Sequence, residues 1–81
     1  MADKYYFLWT KRDCEWCAKA IGLLSEKTIS HTVFTMDEQQ DLLKEVKENF
    51  KWKTVPIVLE VSSNGQTNFV GGYDDLEKHL N

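Results

Sequence analysis

Along this chain the spacing of apolar positions switches between the rhythm of strands and that of helices. Tyr5-Tyr6-Phe7-Leu8-Trp9-Thr10 is an aromatic and aliphatic run closed by charges, the pattern of a strand buried on both faces. Residues 15–27 change period. Cys17, Ala20, Ile21 and Leu24 recur at i, i+3, i+4 and i+7, the stripe of an amphipathic helix. His31 to Met36 is β-branched and apolar, a second strand. Asp37, with Gln40 three residues on, has the form of a capping box and opens a second helix. Its buried stripe is predicted at Leu42, Leu43, Val46 and Phe50, with lysines and glutamates facing out.

Val55 to Val61 reads as a third strand. Asn64-Gly65 favours a two-residue hairpin turn, from which Thr67 to Val70 returns antiparallel. After Gly71-Gly72 a last short helix is expected, with Asp74 as N-cap, Glu77 at its third position, and Leu76 and Leu80 facing in. The order is therefore β-α-β-α-β-β-α, without repeats, linkers or low-complexity tracts. A strand–helix–strand unit of this length implies a right-handed crossover and a parallel pair. The hairpin adds an antiparallel edge, and the helices cover the sheet in a single domain, 1–81.

Composition narrows the function classes. Hydrophobic residues at 42% and charged ones at 28% are ordinary for a globular chain. A net charge of −3 lacks the basic face that nucleic-acid binding requires. The uncharged apolar run Thr28 to Met36 is too short to span a bilayer. No charged-then-apolar leader precedes Tyr5, so a cytoplasmic protein is expected.

The chemistry sits in TKRDCEWCAK, residues 10–19, which holds both cysteines. Cytosolic thiols are normally reduced, and closing so short a loop is worth only about 2 kcal/mol before strain. A structural staple between Cys14 and Cys17 therefore has little to recommend it. Two cysteines supply half a tetrahedral zinc set, and neither His31 nor His79 has ligand spacing. Each histidine stands alone, and neither is expected to be a catalyst.

A dithiol that opens and closes fits better. At the exit of a strand and the entrance of a helix, Cys14 faces unpaired N–H groups and the positive end of the dipole, both of which favour thiolate. Cys17, three residues on, shares that helix face at roughly 5–6 Å, within disulfide reach, but turned inward. Cys14 is thus assigned the attack and Cys17 the resolution of the mixed disulfide. Lys11 and Arg12 favour a thiolate while Asp13 and Glu15 oppose it; Arg12 reads as a solvated charge. Trp9 and Trp52 read as core and as half-buried packing respectively.

Three stretches in this order resemble the glutaredoxins: Lys11-x-x-Cys14-x-x-Cys17, Thr54-Val55-Pro56, and Gly71-Gly72-Tyr73-Asp74-Asp75-Leu76. The resemblance runs from Tyr5 to Leu80. It implies an α/β, thioredoxin-like fold with a mixed four-stranded sheet flanked by helices. It also implies a glutathione-dependent thiol–disulfide oxidoreductase. Lys11 would meet a glutathione carboxylate, and Trp16 would fill the aromatic position of the active-site loop. Thr54 and Val55 would flank the tripeptide, with the Val55 backbone pairing to it as an added strand. Pro56, the only proline, matches the family's cis-proline, and a cis bond would expose the preceding backbone. Gly72, Tyr73 and Asp74 match the loop that holds the γ-glutamyl end. Asp74 has two readings, helix cap and ligand contact, and the glycines have two, turn and close approach.

The resemblance implies glutathione and protein disulfides or glutathionylated proteins as partners, ribonucleotide reductase among the candidates. A monomer with no resident metal is expected, and the charge and run lengths above leave no nucleic acid and no membrane among the partners. A second reading is an iron–sulfur cluster carrier that uses the first cysteine and glutathione. Many glutaredoxins carry Pro-Tyr between the cysteines, where this chain has Glu15-Trp16. Losing the proline removes a pre-organised first turn, and Glu15 complements the helix dipole while repelling a Cys14 thiolate.

Overall fold

A computed structural model describes residues 4–81 of the chain; residues 1–3 of the expected domain lie outside that span. The first strand, β1 (Lys4–Thr10), alternates strictly: Tyr6, Leu8 and Thr10 are buried, whereas Tyr5 is exposed and Phe7 and Trp9 are half-buried. This corrects the expectation of a strand buried on both faces, and of Trp9 as core. Side chains on a strand point alternately to opposite faces, and only one face here is fully covered. The order of the remaining elements is α1 (Glu15–Glu26), β2 (His31–Thr35), α2 (Gln40–Phe50), β3 (Ile57–Ser62), β4 (Thr67–Gly71) and α3 (Tyr73–Leu80).

The strands lie in the order β2-β1-β3-β4. β1 and β2 are parallel, with Leu8 opposite Val33, while β1–β3 and β3–β4 are antiparallel. The result is the mixed four-stranded sheet expected from the sequence. One face packs Tyr6, Leu8 and Val58 against Ala20 and Leu24 of α1 and Leu76 of α3, all 2% exposed or less. The other face gathers Met36, Leu43 and Ile57, with Trp9, Phe50 and Trp52 partly buried around them. There α2 covers only the Trp9 end, so Tyr5, Phe34 and Phe69 remain exposed.

Three local expectations need correction. Asp37 does not cap α2, which starts three residues later at Gln40, with Gln39 as an N-cap lacking any side-chain bond. The Asp37 carboxylate instead accepts the Arg12 backbone N–H at 2.8 Å, so it is spent on the neighbouring loop. Leu42, expected in the buried stripe, is 48% exposed, and Leu43 alone in α2 is fully buried. The hairpin turn closes over Ser63-Asn64-Gly65, not over two residues. The Gly65 N–H reaches the Ser62 carbonyl at 2.8 Å, and Ser62 pairs with Gln66. Gly65 at φ 88° supplies the left-handed residue that such a three-residue loop requires.

Glu60, unremarked in the sequence reading, is a carboxylate only 1% exposed on the sealed face of β3. It accepts from the Tyr6 hydroxyl at 2.6 Å and from Asn68 at 3.4 Å, bonds His79, and lies 3.4 Å from the Lys4 ammonium. Period-two alternation with Val58 carries the signal that this charge faces the core. His79 is thereby engaged, and His31 bonds the Ile29 carbonyl through Nδ1.

Candidate active site

The chain leaves β1 at Thr10 and turns through Asp13, which takes the left-handed region at φ 52°. The Arg12–Asp37 bond ties this turn to the connection after β2, and Arg12 reaches Glu38 through an exposed ion pair at 3.7 Å. Cys14 is the N-cap of α1 in extended conformation. Its sulfur accepts the Cys17 N–H at 3.2 Å, so one of the helix's unpaired donors is aimed at the nucleophile. An N–H in that position holds negative charge on sulfur.

The two thiols differ as their placement predicts. Cys14 is half-buried, Cys17 is 2% exposed, and both are free. Burial pushes the Cys17 thiol up to about 12, with the contact to Cys14 adding to the rise and the Lys11 backbone opposing it. Cys17 is therefore held as a thiol at neutral pH. The Cys14 thiol lies 3.9 Å from the Val55 carbonyl, which joins it to the cleft beside it.

That cleft is lined by Trp16, Thr54, Val55, Pro56, Gly72, Tyr73 and Asp74, all predicted from sequence, and also by Trp52 and Asp75. Its volume of about 250 Å3 is below the roughly 300–1,000 Å3 of pockets that engulf a ligand. It suits an extended chain laid along a wall. The Val55–Pro56 bond is cis, and both residues precede β3, which begins at Ile57. Proline has no N–H to give to a sheet ladder. Trp16 is 49% exposed, and its ring lies 5.8 Å from that of Tyr73. Lys11 is half-buried and does not line the cleft.

At the far wall Asp74 is not the N-cap. Gly72 holds that position, and its N–H donates to the Asp75 carboxylate at 3.1 Å. A bulge in β4, where Val58 pairs with Gly71 but Leu59 with Phe69, aims the chain into this turn. Gly71 lies at φ 124°, and a Cβ there would meet Asp75 Oδ2 at 2.5 Å. Asp75 thus caps the helix, and the exposed carboxylate of Asp74 makes no hydrogen bond or ion pair among the described residues.

Two further groups escaped the sequence reading. Trp52, half-buried as expected, has its indole N–H buried without a partner among the described residues, beside the position a Cβ on Gly72 would take. A tryptophan two residues before Thr54 was the available signal. Lys19 pairs with Glu15 at 3.8 Å and lies 4.5 Å over the Trp16 ring. It offsets the charge and supports the aromatic side chain of the two residues between the cysteines.

A helix-capping thiol with a buried partner three residues on, beside a cis-proline loop on this sheet, defines a thioredoxin-like dithiol protein. The chain belongs to the glutaredoxin family, whose sequence profile, Glutaredoxin, matches residues 7–61. Among solved structures it is similar to a glutaredoxin from Brucella melitensis, at 28% identity and TM-score 0.72, over 99% of this chain and 79% of that one. It is likewise similar to the holo form of glutaredoxin C1 from Populus tremula x tremuloides, at 28% identity and TM-score 0.73, over 93% and 67%. The dithiolic glutaredoxin 2-C-Grx1 of Trypanosoma brucei brucei matches at 29% identity and TM-score 0.68, over 95% and 75%. No curated protein sequence matches the chain. Family, fold and the CxxC pair together support a thiol–disulfide oxidoreductase.

Proposed function

We propose that this glutaredoxin is a glutathione-dependent reductant of protein disulfides or glutathionylated proteins, acting as a monomer in the cytosol. The carrying observation is that the sulfur of Cys14, capped into α1, lies 3.9 Å from the carbonyl of Val55, a lining residue of the cleft formed by Thr54-Val55-Pro56 and Gly72-Tyr73-Asp74. Asp74, released from capping duty by Asp75, is a free carboxylate for the ammonium group of a γ-glutamyl end. Val55 offers backbone for an added strand. Lys11 enters no ion pair among the described residues and remains for a glutathione carboxylate.

The steps follow from the two thiols. The Cys14 thiolate attacks one sulfur of the substrate disulfide, whose S–S bond breaks as the mixed disulfide forms. The other sulfur leaves as a thiolate and takes a proton from solvent. Cys17 then gives up its proton, attacks the Cys14 sulfur, and releases the second substrate thiol as Cys14–Cys17 closes. A pair of glutathiones supplies the electrons that restore both thiols and leaves as glutathione disulfide.

The test is glutathione-dependent reduction of a small mixed disulfide. Cys14→Ser is expected to abolish turnover. Cys17→Ser is expected to keep turnover of a glutathionylated substrate, since a second glutathione can resolve it, and to lose most turnover of a protein disulfide. Wild-type rates in Cys14→Ser would sink the reading.

A further inference from the structure

Beside the cleft lies a second concavity of about 470 Å3, lined by Lys44, Lys47, Glu48, Lys51, Trp52 and Lys53. Its surface is mostly apolar, as an indole and lysine stems present it, and lysine ammonium groups at such an edge stay in water. Residues 44–53 hold four lysines against two glutamates, in a chain whose net charge is −3. Four of the ten basic residues are thus concentrated on the end of α2 and the segment that leads into Thr54. None of the four makes an ion pair among the described residues. Lys51 ends α2 in the left-handed region, at φ 54°. Glycine would occupy that position with less strain, yet a charged side chain stands there. Trp52 is shared between this groove and the cleft beside Cys14.

We infer that this lysine ridge docks an acidic polypeptide segment flanking the disulfide that Cys14 attacks. The inference rests on the proposed disulfide reduction and names its substrate class. A chain lying along Val55 in the cleft passes Trp52 and continues onto the ridge. There carboxylates meet unpaired ammonium groups while the apolar stems cover the intervening chain. A protein segment suits the site better than nucleic acid, because the ridge is short and the rest of the molecule is acidic. Exposed rim charges of this kind act chiefly on association rate and are screened by salt.

The test compares wild type with Lys44→Glu/Lys51→Glu, both exposed and outside the cleft. Three substrates are used: a small glutathione mixed disulfide, a peptide disulfide with acidic flanks, and the same peptide with basic flanks. Wild type should prefer the acidic peptide. The double variant should lose about tenfold in kcat/KM on it at low salt, gain on the basic peptide, lose the difference at high salt, and keep its rate on the small disulfide. Equal wild-type rates on the two peptides, or an unchanged preference in the variant, would overturn the ridge. So would a variant that loses binding to a labelled oligonucleotide while still preferring the acidic peptide. If wild type fails on the small disulfide, the proposed function fails instead. Anisotropy binding of the acidic peptide, weakened about tenfold in the variant or not, then decides the ridge alone.

Discussion

The two faces of the sheet are built from alternate residues of the same strands, yet they are finished differently. On the α1/α3 face, Leu8, Leu24, Val58 and Leu76 are wholly inaccessible. On the α2 face, the aromatic side chains of Phe7, Phe34, Trp9, Phe50, Phe69 and Trp52 follow one another at ring distances of 4.9–6.0 Å, several of them half in water. Two helices close one face, and one short helix covers only the active-site end of the other. The sealed face supplies most of the stability and must satisfy every polar group it traps. The open face stabilises through stacking that tolerates water, and it is free to carry contacts near the cysteines.

The same substitution in two helices gives the largest contrast. Leu76→Ala in α3 empties a site with no exposure and should cost about 3 kcal/mol. For a domain of this size that lowers Tm by more than about 10 °C. Leu42→Ala in α2, at 48% exposure, should cost under about 0.5 kcal/mol. Urea midpoints measure both; similar losses would mean that the α2 face is covered by something beyond α2.

Acid separates the faces next, because the buried carboxylate is on the sealed one. Burial pushes Glu60 up, but hydrogen bonds from Tyr6, His79 and Asn68 outweigh it and hold the carboxyl at about 2, below its ordinary 4.5. A group depressed on folding stabilises above its unfolded pKa and loses that contribution as pH falls through its folded pKa. Stability should therefore decline from about pH 4.5 towards 2, by roughly 3 kcal/mol in all. Glu60→Gln should be less stable at neutral pH and lack most of this acid limb. An unaltered limb in the variant would assign it to other carboxylates.

How much of this was legible in sequence follows from what each residue answers to. The element order, the mixed sheet and the cleft motifs were readable, because periodicity and the cysteine spacing are local. Cys14 as the cap of α1 was readable for the same reason. Asp37 and Asp74 were misread as caps because an aspartate announces a cap without saying whose. Tertiary neighbours gave Asp37 to Arg12, and Asp75 took the Gly72 N–H first. The Glu60 network joins Lys4, Tyr6, Asn68 and His79 across three strands and a helix, pairings that no single window of sequence contains. The exposure of Leu42 depended on how far α2 extends over the sheet, which is likewise a packing outcome.

The contrast between sealed and open can be narrowed to two adjacent residues, Gly71 and Gly72. At Gly71 a Cβ would lie 2.5 Å from Asp75 Oδ2, on a backbone at φ 124°. Gly71→Ala must therefore both strain the chain and push the capping carboxylate off the Gly72 N–H. The expected loss is about 2 kcal/mol, from a disfavoured conformation and a broken cap together. At Gly72 the backbone is extended, and a Cβ would make only ordinary contacts with Trp52 and the Pro56 carbonyl at 3.6–3.8 Å. Gly72→Ala should stay within about 1 kcal/mol of wild type, but it adds a methyl group to the cleft floor. Its signature is thus a raised KM for glutathione with little change in urea midpoint, whereas Gly71→Ala lowers the midpoint first. If Gly72→Ala bound glutathione as wild type does, the tripeptide would not be resting on this wall, and Asp74 would lose its role with it.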